Sequence, residues 1–376
     1  MIIILISTLA FQKDAIGATI YLNDIDSSLS PPAGKFRWLD GADQLYRVSY
    51  RDNYDYRQAI VEVTYNDAGN TLHGTLHAFN LKPNFSYQLK LAGFPGSTDN
   101  EHVGLAGRWW QEEWNGTAWG NGQNLNSKGD GSSPNPNDTI YFSRRDTPDP
   151  SSPTGLKYRY TGYLVFDYFS TDETGAVTLN FNTDSSYHVL WKTTQWGRTV
   201  SDGPLKTVTF DADLSHAYDD TGGDDYPSQT VSIFGEWERL PVGGVFLQYG
   251  AYDATLTITE ESFHGSGGWP YAGNWAAAMD ADIIFTLCPN LPVRIEGAPP
   301  EYFVTLQAAH DATRGDSTIQ SLSDIFDEDL VINSDNSLSL KGGYTCDYST
   351  HSGATVINGS VIIRNGTVSL ENFILK

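Results

Sequence analysis

The feature that most constrains this chain lies toward its C-terminal end, where very short apolar runs recur between polar corners. Leu330-Val331-Ile332, Leu338-Ser339-Leu340, Val356-Ile357, Val361-Ile362-Ile363, Val368-Ser369-Leu370 and Phe373-Ile374-Leu375 are each bounded by Asn, Asp or Gly. Stacked short strands with Asn and Gly at the corners are what a β-solenoid needs, because each coil must bend sharply and lay its strand over the one before. Residues 301–376 are therefore expected to form a short β-helix-like module. Residues 302–313 open it with Phe303, Leu306, Ala309 and His310 set among good helix formers, which predicts one capping helix.

The rest of the chain points to the same class by another route. Its 36 Gly, 21 Tyr, 17 Phe and 10 Trp sit among many Thr, Val, Ser, Asn and Asp residues, the mix of short strands joined by tight turns. The expected class is all-β. Between residues 19 and 96, strand-like segments at 59–65, 71–79 and 87–92 are punctuated by Asp67-Ala68-Gly69-Asn70 and Lys82-Pro83-Asn84, the rhythm of a β-sandwich, here of jelly-roll-like kind. Alternation from Thr71 to His77 predicts a strand with one buried and one wet face. Strands are expected again at 157–168, 176–182, 187–193, 206–211, 230–237, 244–249, 254–259 and 282–287. The sandwich region is thus 19–288, interrupted by a long loop excursion at 97–157 that holds an aromatic patch and then a polar Asn-, Gly-, Ser- and Pro-rich stretch. The sequences Cys288-Pro289-Asn290-Leu291-Pro292 and Gly297-Ala298-Pro299-Pro300 read as a linker over 289–300, with regular pairing precluded by the prolines.

The order Leu306-Gln307-Ala308-Ala309, Leu338-Ser339-Leu340-Lys341-Gly342-Gly343-Tyr344 and Val361-Ile362-Ile363-Arg364-Asn365-Gly366-Thr367-Val368 resembles the entry of pectate-lyase-like right-handed β-helices of bacterial surface proteins. That resemblance implies a helix-capped solenoid displayed at a cell surface. In that family lyase chemistry belongs to later coils, with clustered aspartates for calcium and a basic residue as the base, so the resemblance argues for architecture and location and against lyase activity here. The segment Leu81-Lys82-Pro83-Asn84-Phe85-Ser86-Tyr87-Gln88-Leu89-Lys90-Leu91 is similar to uncharacterised secreted prokaryotic β-sandwich proteins, a resemblance that carries no activity with it.

Charge and targeting narrow the partners. A formal net charge of −23 makes nucleic acid an unfavourable partner, since phosphate binding draws on Lys and Arg. The apolar run of residues 1–11, followed by Ala15-Ile16-Gly17-Ala18, reads as a signal peptide over 1–18, cut after Ala18. It lacks a basic leading segment, and the alternative is a retained N-terminal strand over residues 2–6. No other stretch is long and apolar enough to span a membrane, and the expected location is extracellular or at the cell surface. Cys288 and Cys346 are the only cysteines. A bridge between them would close a loop of about sixty residues, worth about 4 kcal/mol on chain entropy; two buried free thiols are the other reading.

Several constellations bear on chemistry. Trp109, Trp110, Trp114 and Trp119 offer flat faces to sugar rings, or else close one end of the sandwich. Glu112 and Glu113 lie among them. Glu236-Trp237-Glu238 would set two carboxylates on one strand face about 7 Å apart, near the separation an inverting glycosidase uses, although two acids on a wet strand face are ordinary. Glu260, Glu261 and His264 precede a glycine-rich segment but match no zinc-protease or hydrolase spacing, so a structural turn is the simpler reading. Asp130, Asp138 and the acidic loop Asp219, Asp220, Asp224 and Asp225 supply oxygen ligands suited to Ca²⁺. Sequons at Asn84, Asn115, Asn137, Asn358 and Asn365 fit export without deciding function. The expected function is that of a non-enzymatic structural or adhesive protein. It would assemble with itself or with another surface protein through strand edges, Phe373, Ile374 and Leu375 forming the assembly edge. The alternative is a carbohydrate-binding protein or glycosidase acting on polysaccharide through the tryptophan patch and a carboxylate pair.

Overall fold

A computed structural model of the protein describes residues 17–25, 38–42, 44–125, 136–183, 190–191, 206–210, 217–218, 229–235, 247–260, 276–289, 291–351 and 353–376. Within them lie 24 strands and only four short α-helices, so the chain is mostly β and organised in several sheets.

The largest sheet gathers β1 (Ala18–Asp24), β2 (Ile60–Tyr65), β3 (Ala68–Gly69), β4 (His73–Phe79), β5 (Ser86–Gly93), β6 (Arg108–Trp114), β7 (Trp119–Asn124), β8 (Tyr158–Ser170) and β9 (Val177–Asn182). After a small sheet of β10 (Leu190–Trp191), β11 (Lys206–Phe210) and β12 (Gln229–Gly235), it is completed by β13 (Gly250–Glu260) and β14 (Ala276–Leu287). The order is β7-β6-β8-β5-β13-β14-β1-β2-β4-β9, with β3 beside β14. Its spine is the antiparallel pair β13 and β14, in register from Gly250↔Leu287 to Glu260↔Ala276 with one shift after Ile258. Along β13 the period of two buries Tyr252, Ala254, Leu256 and Ile258 and leaves Asp253 exposed. Strand β1 turns the corner, pairing with β2 through Ala18 to Leu22 and with β14 through Asn23 and Asp24. The two limbs therefore close over one core, in which Val61, Val63 and Leu76 meet Leu89, Leu256 and Phe285. Phe166 of β8 and Phe181 of β9, distant in strand order, lie 5.7 Å apart between ring centroids.

Two sequence expectations need correction here. Residues 97–157 are not a loop excursion: they contain α1 of this limb (Thr98–Ala106), then β6 and β7, which extend the sheet from β8, and a second helix, α2 (Pro136–Arg144). The polar composition of 120–138 concealed the strands, whereas the aromatics at 109, 141 and 160 build a small core of their own with Leu125. Nor is 289–300 a pairing-free linker. Val293–Ile295 forms β15, paired on both sides. The prolines at 292, 299 and 300 flank this strand and leave its own N–H groups free to bond. Residues 244–246 lie outside the described residues, and 247–249 precede β13 without forming a strand.

The C-terminal region adds β16 (Glu301–Phe303), β17 (Ser317–Leu322), β18 (Ile325–Phe326), β19 (Leu330–Ile332), β20 (Ser337–Tyr344), β21 (Thr355–Ile357), β22 (Val361–Ile363), β23 (Thr367–Glu371) and β24 (Phe373–Leu375). Three parallel ladders run β17-β20-β23, β18-β21-β24 and β19-β22. Their inward residues, among them Ile319, Leu330, Ile332, Leu338, Leu340 and Ile357, form a second core separate from the first. Side chains repeat from coil to coil: Asp327 Oδ1 accepts from Asn358 Nδ2 at 2.7 Å, and Asp329 Oδ1 accepts from the Ser360 amide at 2.8 Å, each 31 residues on. Corners need left-handed backbone, as at Gly366 (φ 85°), where a Cβ would also stand 2.4 Å from the Ser334 carbonyl oxygen.

The start of this stack is covered. Helix α3 (Leu306–Ala312) follows its N-cap Thr305, whose hydroxyl accepts from the Ala308 amide at 3.0 Å. Glu328, from the coil below, accepts the Leu306 and Gln307 amides at 2.8 and 3.0 Å. Leu306 and Ala309 enter the core beneath. Cys288, just beyond β14, is disulfide-bonded to Cys346 in the coils, with Cα atoms 5.0 Å apart. That covalent link and the edge-on contact of Tyr249 with Tyr302, 6.3 Å between centroids, join the two regions.

Candidate functional site

Alternation along β6 divides the tryptophan patch into two unlike halves. Trp109 and Gln111 point inward. Trp109 is fully buried, stacked on Tyr141 with 3.7 Å between ring centroids and 9° between planes, and its Nε1 donates to Asp138 Oδ1 at 3.0 Å. Tyr160 closes the other side edge-on and donates its hydroxyl to Gln111 Oε1 at 2.8 Å. Burial pushes the Tyr141 hydroxyl up to about 12, with its hydrogen bond to Glu101 adding to the rise; it is a neutral donor at any ordinary pH. Asp138 is likewise raised by burial, the indole N–H pulling partly back. Trp109 thus closes a packed end and offers no face to a ligand.

Trp110, Glu112 and Trp114 point the other way. Trp110 is 42 % exposed, and its ring approaches the backbone of β7 at Gly122, where a Cβ would come within 2.4 Å of it. Trp114 faces Trp119 across the β6–β7 hairpin at 5.4 Å and 63°. The Arg159 guanidinium sits 5.1 Å from the centre of Trp119 and pairs with Glu112 at 2.6 Å. The result is one sheet face carrying three indoles, a carboxylate and a guanidinium: apolar planes flanked by hydrogen-bonding groups. Glu113, on the opposite face, pairs with Lys157 at 3.1 Å. Glu112 and Glu113 therefore do not converge on one reacting bond.

The second candidate surface is the last rung of the coils. Phe373, Ile374 and Leu375 form β24, paired to β21 on one side only. With β22 and β23 they present Ile362, Ile363, Leu370, Ile374 and Leu375 at 43 to 52 % exposure. Among the described residues each of these strands is paired on one side only.

Other sequence candidates fall differently. Asp219, Asp220, Asp224 and Asp225, as well as Asp130, Glu236, Glu238, Glu261 and His264, lie outside the described residues, as do residues 1–16. Among the described residues no three His, Cys, Asp or Glu side chains cluster as metal ligands, and no helix is long and apolar enough to cross a membrane. Of the sequons, Asn84 is buried with a left-handed backbone, whereas Asn115, Asn358 and Asn365 are exposed.

Sequence reasoning missed the most unusual polar group in the large core. Lys82 and Glu260 are both fully buried, and Lys82 Nζ contacts Glu260 Oε1 directly. Tyr56 donates its hydroxyl to the same Oε1 at 2.6 Å, and the Tyr56 and Tyr87 hydroxyls lie 3.1 Å apart. Nζ sits 4.4 Å from the Trp38 ring centre and 4.7 Å from that of Phe85. Burial first, then the Glu260 charge, raises both tyrosine hydroxyls well above their usual range. Lys82 reads locally as part of a turn and Glu260 as the first of two loop acids, so only the pairing of β13 with β5, Glu260↔Tyr87, brings them together.

Comparison with known proteins finds no matching family model, no similar curated protein and no similar solved structure.

Proposed function

We propose that this is an extracellular structural or adhesive surface protein, a β-sandwich joined to a short β-helix, that binds a further copy of itself or another surface protein by strand addition at the open rung. The observation that carries this reading is the asymmetry of the coils. Helix α3 and strand β15 pack over β17 and, in the case of α3, over β19, while β22, β23 and β24 present five apolar side chains to solvent. Unpaired edges next to apolar surface favour a further strand, since main-chain bonds supply affinity and side-chain burial adds to it. The disulfide supports an oxidising location, and the large negative charge suits a solvated exterior. Sedimentation and electron microscopy of the purified protein test the proposal. Oligomers or filaments that dissociate in Ile363→Lys and Ile374→Lys are expected. A protein that is monomeric at all concentrations and does not retain a surface-protein partner at this edge overturns it.

A second reading rests on the exposed indole face. Trp110, Trp114 and Trp119, with the Glu112–Arg159 pair beside them, suit polysaccharide binding through stacking and hydrogen bonds. Saturable quenching of tryptophan fluorescence by one member of a polysaccharide panel, lost in Trp110→Ala, is the expected signature; no response to any member removes this reading. Calcium at the acidic loop 219–225 belongs to neither argument and is tested by a thermal melt with and without chelator.

A further inference from the structure

We propose that Lys82 and Glu260 condense into an intramolecular amide, a covalent cross-link inside the large core that is independent of any assembly at the coils. The reacting groups are already in contact and both are wholly buried. Two full charges held away from water carry a large desolvation penalty that their attraction need not repay, whereas an amide is neutral. The pair is also held in place. The Lys82 amide donates to the Tyr87 hydroxyl at 3.1 Å, the Lys82 carbonyl accepts from Thr171 Oγ1 at 2.6 Å, and Glu260 ends a strand paired on both sides. Fixing amine and carboxyl in one site replaces an encounter between separate molecules with a single internal step, the effect measured as effective molarity.

The chemistry balances without a co-reactant. One proton passes from the Lys82 ammonium to the Glu260 carboxylate, leaving a free amine beside a carboxylic acid. Nζ attacks Cδ and the Nζ–Cδ bond forms; the Cδ–Oε2 bond breaks, and Oε2 leaves with the transferred proton and one from nitrogen as one molecule of water, while Oε1 becomes the amide oxygen. The surrounding rings of Trp38 and Phe85 exclude bulk water and so favour condensation over hydrolysis. Tyr56, kept as a neutral hydroxyl by its burial, donates to Oε1 at 2.6 Å, where negative charge develops in the tetrahedral intermediate. The cross-link would tie the turn before β5 to the end of β13, residues 178 apart in sequence.

Mass spectrometry of the full chain, denatured and with its disulfide reduced, tests this directly. The expected mass is lower by one water, about 18 Da, and proteolysis should release a branched fragment joining the peptides that contain Lys82 and Glu260. Separate, unmodified peptides for both residues overturn the proposal, whatever the fate of any variant. Tyr56→Phe keeps both reacting groups, and a time course after refolding should show cross-linking slowed at least tenfold. Cross-linking at the unaltered rate would overturn the assignment of Tyr56 as the oxyanion donor.

Discussion

The large sheet and the C-terminal coils are both built of strands, yet they bury their cores in opposite ways. In the sheet, hairpin pairs such as β6–β7 are tied together by neighbours far apart in sequence: β5 lies between β13 and β8, and the corner strand β1 pairs with β14 as well as with β2. Most of the long strands contribute to one shared core, with a smaller one around Trp109 beside it, so a defect in the main core is felt across several strands. In the coils each strand pairs with its counterpart one turn earlier or later, 31 residues away between β19 and β22. Stability there is close to a sum of neighbour terms. The contrast teaches that the same strand chemistry yields a cooperative block where pairing is long-range and a divisible stack where pairing repeats.

Perturbing each region in turn can break or sharpen that contrast. The largest effect is expected from Glu260→Ala, which removes the cross-link and puts an ammonium in the dry core of the sheet where the amide was neutral; a buried charge that has lost its counter-group costs about 3–5 kcal/mol. Denaturant unfolding should show the sheet transition moving while that of the coils stays, and a shift of both together would make the molecule one cooperative unit. Leu340→Ala, fully buried in the coils, should cost about 2–5 kcal/mol and move only the other transition. Cys288→Ser removes the covalent tie between the regions and is expected to lower the stability of the coils by about 2–4 kcal/mol, read as a wider separation of the two calorimetric peaks. Thr305→Ala removes the α3 cap and should cost about 1 kcal/mol, visible as faster amide exchange over 306–309.

The smallest expected difference is in acid. In the coils, Asp329 is held below the ordinary carboxylate range by the Ser360 hydroxyl and amide, and Asp311 by its hydrogen bond from His310. A depressed folded value contributes stability that is present above the unfolded value, about 4 for Asp, and is lost as pH falls through the lower folded one. In the sheet, burial raises Asp138 and Asp280, the latter also facing Asp282. Their contribution has the opposite sign, growing as pH falls through the raised values. Acid titration followed by near-ultraviolet circular dichroism should therefore weaken the coils below about pH 4 before the parts of the sheet around Asp138 and Asp280. The reverse order would show that other carboxylates dominate.

Legibility followed locality. The triplets of the coils and their Asn and Gly corners could be read because a bend or a short strand declares itself within a few residues. The capping helix was legible from Leu306 and Ala309, although its N-cap partner Glu328 was not. The tryptophan patch was legible as a patch but not as two faces. Whether an indole in β6 closes a core or meets solvent depended on Tyr141 and Tyr160 arriving on one side and Arg159 on the other. The proline-flanked strand β15 was misread because proline forbids pairing only at its own nitrogen.

By itself the sequence determined that this chain would be mostly β, with a region of short stacked strands behind a small helix, because turn chemistry and side-chain period are properties of neighbouring residues. Only the tertiary structure decided which apolar side chains of the coils meet solvent, that Trp109 is core while Trp110 is surface, and that Lys82 meets Glu260. Each of these depends on segments tens to hundreds of residues apart sharing one volume, and burial, which sets the energy of a charge or an indole, has no local signature.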